Sequence, residues 1–175
     1  MPMPRNDESL QLETGSASPG SWIDQLQARL ASIPGVEAVS AMDPLPLGGS
    51  SWSGTFHIEG QPTGPGQEAP HGEYNVGLPG FVATLRMQLQ KGREFETTDG
   101  PEAPLVAIVD DRLAAQYWPG EDPIGKRISS NGDEGPWASV VGVVRHVYRS
   151  GPKSEGEPQI YFPFAQHVQT PMSYA

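Results

Sequence analysis

The segment Tyr117 to Ile128, YWPGEDPIGKRI, most constrains what this chain can fold into, because it joins a helical pattern to a strand pattern through rigid backbone punctuation. Leu113 and Tyr117 lie one helical turn apart, as do Ala114 and Trp118, and Asp110-Asp111 precede them where a carboxylate caps a helix N-terminus. Pro119 cannot continue that helix, and Gly120 suits the positive φ that often ends one. Pro123 disfavours a helical conformation at Asp122, and Gly125 permits a second tight bend. Lys126, Arg127 and Ile128 then enter an extended segment. The reading is helix, rigid double turn, strand.

The same segment contains a false motif. Gly120 to Lys126 spells G-x-x-x-x-G-K, close to a phosphate-binding loop. Arg127 stands where Ser or Thr would hold magnesium, Glu121 and Asp122 repel phosphate, and Pro123 lacks a backbone donor. The order is also inverted, since that motif needs a strand before the loop and a helix after it. No nucleotide site is expected here.

The flanks extend the pattern. Leu105 to Val109 is a continuous apolar run, as in a strand buried on both faces. Lys126 to Ser130 and Trp137 to Tyr148 flank a turn with Asn131-Gly132 and Gly135-Pro136, which predicts a hairpin with a long loop. Val140, Val141, Val143, Val144 and Val147 make its second strand the strongest in the chain, and Gly142 within it predicts a bulge or a close backbone approach. Gln159 to Phe162 reads as a short strand ended by Pro163.

Before this segment the signals are weaker. Residues 1–20 are polar and rich in Pro, Gly and Ser, and are expected to be disordered, with Leu10-Gln11-Leu12 as a possible short strand. Ser21 to Ile33 predicts an amphipathic helix, with Ser21 and Asp24 as a capping box and Trp22, Leu26, Leu30 and Ile33 on one stripe. Pro34-Gly35 stops it, and Val36 to Ala41 alternates like a strand. Thr55 to Glu59 and Glu73 to Leu78 predict two strands that pair across the Pro/Gly-rich connection from Gly60 to Gly72. Pro79-Gly80 opens a short helix through Phe81, Val82 and Leu85. Met87 and Leu89 then alternate as in a strand, and Phe95 is available as an apolar anchor.

The chain is 175 residues long, enough for one domain or two small lobes, with a boundary expected near residue 80. Its net charge of −10 argues against nucleic acid and anionic membrane surfaces as partners. With no cysteine, disulfides and cysteine-based metal sites are excluded. No apolar run reaches the roughly 20 residues of a transmembrane helix, and the N-terminus has no apolar signal region.

Candidate chemistry is sparse. His57, His71, His146 and His167 show no i, i+4 ligand spacing and no accompanying carboxylate cluster, so they are read as surface or satisfied core histidines. Asp110-Asp111 and Glu121-Asp122 are adjacent carboxylates, which do not face one another as a glycoside-cleaving pair must. They are read as a helix cap and a solvated turn. Ser50-Ser51 lies in a Gly-rich loop without a nucleophile elbow. Trp52, Trp118 and Trp137 are read as core or rim residues, with a ligand groove as the alternative. No catalytic, cofactor-binding or metal-binding residue is expected, and no cofactor.

The chain resembles the extracytoplasmic domain of ABC-transporter permeases of the MacB type, closest to the large duplicated permeases common in acidobacteria. The resemblance is carried in order by ARLASIPGVEAVS (28–40), LPLGGSSW (45–52), FHIEGQP (56–62), LPGFVATLRMQLQKGREF (78–95), VAIVDDRLAAQYWPGEDPIGKRI (106–128), GPWASVVGVVRHV (135–147) and PQIYFPFAQ (158–166). It implies an α+β (mixed α/β) fold of two lobes: a porter-like lobe over 21–80, an inserted second lobe over 81–167, and a tail over 168–175 that is a truncated return to the first. With the first family strand weak, that lobe is expected to be incomplete, with an exposed sheet edge. The implied role is non-catalytic: to relay conformational change to a periplasmic substrate or adaptor, on the outer side of the inner membrane. The implied partners are the transmembrane helices of the permease and a cytoplasmic ATPase domain, with a homodimer in the full transporter. The alternative is a free-standing peptide- or glycan-binding module.

Overall fold

A computed structural model describes residues 19–46, 48, 51–64, 66–148 and 156–167. The expectations for residues 1–18 and 168–175 fall outside this range, as does that for Ser50. In chain order the elements are α1 (Pro19–Ala31), β1 (Met42–Asp43), β2 (Trp52–Thr55), β3 (His57–Ile58), β4 (His71–Gly77), α2 (Phe81–Thr84), β5 (Leu89–Gly92), β6 (Val106–Asp110), α3 (Asp111–Tyr117), β7 (Arg127–Ser129), β8 (Ala138–Val144), β9 (Gln159–Pro163) and α4 (Phe164–His167). The fold is mixed α/β, built on one nine-stranded sheet in the order β1-β4-β9-β6-β8-β7-β3, with β2 also on β4 and β5 also on β8. Two pairings are parallel, β4 with β9 and β6 with β8, while β6 and β9 run antiparallel.

The apolar run Val106–Asp110 forms the centre, and all five of its residues are buried. Alternation then divides the core between the two faces of the sheet. Ala107 and Val109 pack with Phe56, Leu113, Trp118, Ile128, Val140 and Ile160 under α3. Val106 and Ile108 pack with Phe81, Val82, Phe95, Val144 and Tyr161 under α2. Each cluster draws on residues from both sides of position 80.

The central punctuation folds as read. Asp110 caps α3, its Oδ1 accepting from the Leu113 N–H at 2.9 Å. Trp118 ends the helix, and Gly120 and Gly125 take φ of 77° and 83° through the double turn. β7 pairs antiparallel with β8 as the expected hairpin. Val141 is the extra residue of a bulge against β6, where Ala107 opposes Val140 and Ile108 opposes Gly142. Gly142 is also a close approach, since a Cβ there would sit 2.3 Å from the Arg93 carbonyl oxygen.

Three expectations are corrected. Val36 to Ala41 is not a strand: only Met42–Asp43 pairs with β4, because β4 ends at Gly77 and leaves the preceding residues no strand to bond to. Instead this stretch is held through the Leu78 N–H to the Ala41 carbonyl and the Ser40 hydroxyl to the Leu78 carbonyl. Thr55 to Glu59 is two strands, not one. β2 pairs with β4 across the Pro/Gly connection, and Phe56 then turns the chain so that β3 pairs with β7. Finally, the α1 stripe is not buried: Leu26, Leu30 and Ile33 remain 47%, 39% and 49% exposed.

Candidate functional site

Two places concentrate side chains that the fold does not fully use. The first lies where β6 and β8 end. Asp110 is fully buried, and its Oδ2 is 2.6 Å from His146 Nδ1. Asp111 accepts the His146 backbone N–H at 3.0 Å and the Gln90 side chain at 2.8 Å. Gln159 joins the cluster, donating to the Val147 carbonyl and to Glu73 while its oxygen accepts from the Val147 N–H and the Tyr161 hydroxyl. Among the described residues, His146 Nε2 has no hydrogen-bond partner although it is buried. It faces Gly156, where a Cβ would sit 2.6 Å away.

An aspartate that orients a histidine is half of a nucleophilic site. Here no described side chain supplies the nucleophile, because none of them bonds Nε2. The arrangement instead ties the end of β8 to the N-terminus of α3. His146 is buried and held through Nδ1, and its carboxylate partner, 36 residues away, left no signal in the sequence.

The second place is an apolar groove of about 330 Å³ between α1 and the β1 edge of the sheet. Ile23, Leu26, Leu30, Met42, Trp52 and Val76 contribute to its lining. Its polar groups are largely spent: Gln27 donates to the Val39 carbonyl, and Ser40 to the Leu78 and Pro79 carbonyls. His167 stacks on Trp52 with ring centroids 6.4 Å apart, and burial lowers its pKa from 6.5.

The other sequence candidates scatter. His57 pairs with Asp133 at 2.7 Å and His71 with Glu157 at 3.0 Å, both near the surface. No cluster of three or more histidines and carboxylates suited to a metal occurs among the described residues. Glu121 pairs with Lys126, and Asp122 lies 3.5 Å from Lys91, so the second acidic pair is a solvated turn. Of the three tryptophans, Trp118 is in the core and Trp137 is half-buried at the start of β8, leaving Trp52 alone of the three in the groove lining. Among the described residues no helix is long and apolar enough to cross a membrane.

Comparison with known proteins gives this fold a context. The sequence matches the family model described as MacB-like periplasmic core domain over residues 3–174. The periplasmic region of MacB from Actinobacillus actinomycetemcomitans is similar in fold, with a TM-score of 0.54 and 16% identity, covering 82% of this chain and 55% of that one. The extracellular domain of the noncanonic ABC-type transporter YknZ from Gram-positive bacteria has a TM-score of 0.52 and 20% identity, covering 81% and 62%. A domain of a Porphyromonas gingivalis protein described as a permease has a TM-score of 0.52 and 15% identity, covering 82% and 57%. The chain thus spans little more than half the length of these structures. No curated protein sequence matches it.

Proposed function

The chain belongs to the MacB-like periplasmic core domain family, and from that premise we propose that it relays conformational change in an ABC-type permease to a periplasmic substrate or adaptor, without chemistry of its own. It is an extracytoplasmic domain of such a permease, on the outer side of the inner membrane. The single observation that carries the reading is the family match across residues 3–174. The transmembrane helices of the permease and a cytoplasmic ATPase domain are its proposed partners, and a homodimer its proposed assembly. The proposed energy source lies with the ATPase partner: the near-P-loop at Gly120–Lys126 is a helix-to-strand turn, the wrong order for holding phosphate.

The proposed lobes, 21–80 and 81–167, meet within one sheet through the pairings of β4 with β9 and β3 with β7. Limited proteolysis tests that division. A stable fragment over 81–167 supports two units, and simultaneous loss of both halves counts against them.

The function is tested in the source cells with an antibody to residues 100–150. The expected result is a membrane-fraction band much larger than 18.8 kDa, digested by protease added to spheroplasts. A soluble band of the chain's own mass, protected from that protease, would overturn the reading.

A further inference from the structure

Asn131-Gly132 lies in the loop between β7 and β8. A peptide nitrogen can attack the side-chain carbonyl carbon of the residue before it, and glycine opens the way because it has no Cβ to block the approach. The attack needs a side chain free to turn, a nitrogen outside any hydrogen bond and a backbone outside any ladder. Asn131 is exposed, and its backbone N–H donates to the Ser129 hydroxyl oxygen at 3.1 Å. Among the described residues neither its side-chain amide nor the Gly132 N–H has a hydrogen-bond partner. Gly132 is held through its carbonyl, which accepts from the Gly135 N–H at 3.3 Å. It takes φ of 94°, and a Cβ built there would meet nothing within 4 Å. The β7–β8 ladder pairs Arg127 with Ser139 and Ile128 with Ala138, so both residues lie outside it. Two comparable sites are closed. Asp99-Gly100 has the right successor, but Asp99 is 6% exposed, and its oxygens accept from both Arg93 Nη atoms at 2.7 and 2.8 Å and from the Glu96 N–H at 2.9 Å. Asn75 is fully buried in β4, donates to the Ile160 carbonyl at 3.2 Å and precedes a β-branched valine.

We propose that Asn131 is a site of spontaneous modification, deamidating in the folded protein to aspartate and isoaspartate. The Gly132 nitrogen bonds to Asn131 Cγ, and the Cγ–Nδ2 bond breaks. The proton of the Gly132 N–H ends, through water, on the departing ammonia. Water then opens the cyclic imide. Addition at Cγ gives aspartate, and addition at the Asn131 backbone carbonyl gives isoaspartate, in which the main chain runs through the former side chain. Water is the only reactant consumed and ammonia the only molecule released. Either product adds one negative charge to a loop that already holds the exposed Asp133 and Glu134. It places that charge two residues from Asp133, the partner of His57 at 2.7 Å. Isoaspartate also lengthens the main chain by one carbon. That carbon falls between β7 and β8, so the loop takes it up and the sheet keeps its register. The proposal goes beyond the permease reading and does not rest on it.

The test incubates the full folded chain in mildly alkaline buffer and follows the tryptic peptide 128–145 by mass spectrometry. Asn131 is the one amide side chain in that peptide, so an amide-to-carboxyl mass gain reports it alone. Isoaspartyl methyltransferase with a labelled methyl donor reports the isoaspartate. The folded chain should convert Asn131 within about threefold of the rate of the free peptide 128–145, and at least about tenfold faster than Asn75. Asp99 should form isoaspartate at least about tenfold more slowly in the folded chain than in the free peptide 94–112. Asn131→Gln, which would have to close a larger ring, should leave the methyltransferase signal from this peptide at background. Asn131→Asp carries the aspartate product from the start and should unfold in urea at the midpoint of the parent. Conversion of Asn131 more than about tenfold slower in the folded chain than in its free peptide would overturn the proposal, because the fold would then hold the loop closed. A lowered midpoint for Asn131→Asp would overturn the claim that the sheet is indifferent to the change.

Discussion

Asp110 uses its two carboxylate oxygens for two separate tasks, capping α3 and holding His146. Asp110→Ala removes the cap, costing about 1 kcal/mol, and leaves His146 Nδ1 buried without a partner, costing about 1–3 kcal/mol more. Asp110→Asn keeps the cap and should cost about 1 kcal/mol, so urea unfolding is expected to separate the two variants clearly. Equal losses would mean that the histidine pair contributes nothing. Arg86 makes the opposite case. It has φ of 54° after α2, where the Met87 N–H closes back on the Val82 carbonyl, a helix end that favours glycine. Arg86→Gly relieves about 1–2 kcal/mol of left-handed strain but makes the unfolded chain more flexible, by up to about 1 kcal/mol. A net gain of roughly 0.5 kcal/mol is expected from the same measurement.

At the scale of elements, burial separates the sheet from the first helix. Ile108 lies in central β6 and has no exposure, whereas Leu30 in α1 is 39% exposed. Ile108→Ala should cost about 2–5 kcal/mol, because the packed strands around it cannot collapse into the space. Leu30→Ala should cost under about 1 kcal/mol, because little area is lost from contact. Chemical denaturation of both variants checks the contrast, and a large loss at Leu30 would show α1 to be packed more tightly than its exposure implies. In β8, Gly142→Ala pushes a methyl group into the Arg93 carbonyl and should cost at least about 2–3 kcal/mol. A neutral result there would mean that the residues after β5 move aside.

At the scale of the whole molecule, Asp99 and His167 among the described residues couple stability to acid. Burial tends to raise the Asp99 pKa, but the Arg93 guanidinium and the Glu96 N–H outweigh it and hold the carboxyl below its ordinary 3.8. Burial holds the His167 imidazole below its ordinary 6.5. In both, folding favours the deprotonated form, so their contribution is complete above the unfolded pKa and is lost as pH falls through the folded one. Stability should begin to fall below about pH 6.5 and fall again below about pH 4, and His167→Gln should abolish the first step alone. An unchanged first step in that variant would place its origin in another histidine.

What the sequence determined by itself was local. The buried run at 106–109, the Asp110 cap, the stop at Pro119-Gly120, the β7–β8 hairpin and the close approach at Gly142 all follow from backbone restriction and periodicity within a few residues. The family was legible too, because two of its motif blocks, 106–128 and 135–147, lie in these same segments. Tertiary structure decided the rest. Asp110 meets His146 only because parallel β6 and β8 end side by side. Val36 to Ala41 alternates like a strand but has no partner strand beyond Gly77, and alternation cannot report whether a partner is present. The Arg112–Tyr148 stack likewise joins residues 36 apart. Pairing across such distances depends on which strands lie next to each other, and that order is set by how the whole sheet buries its two faces, not by any single segment.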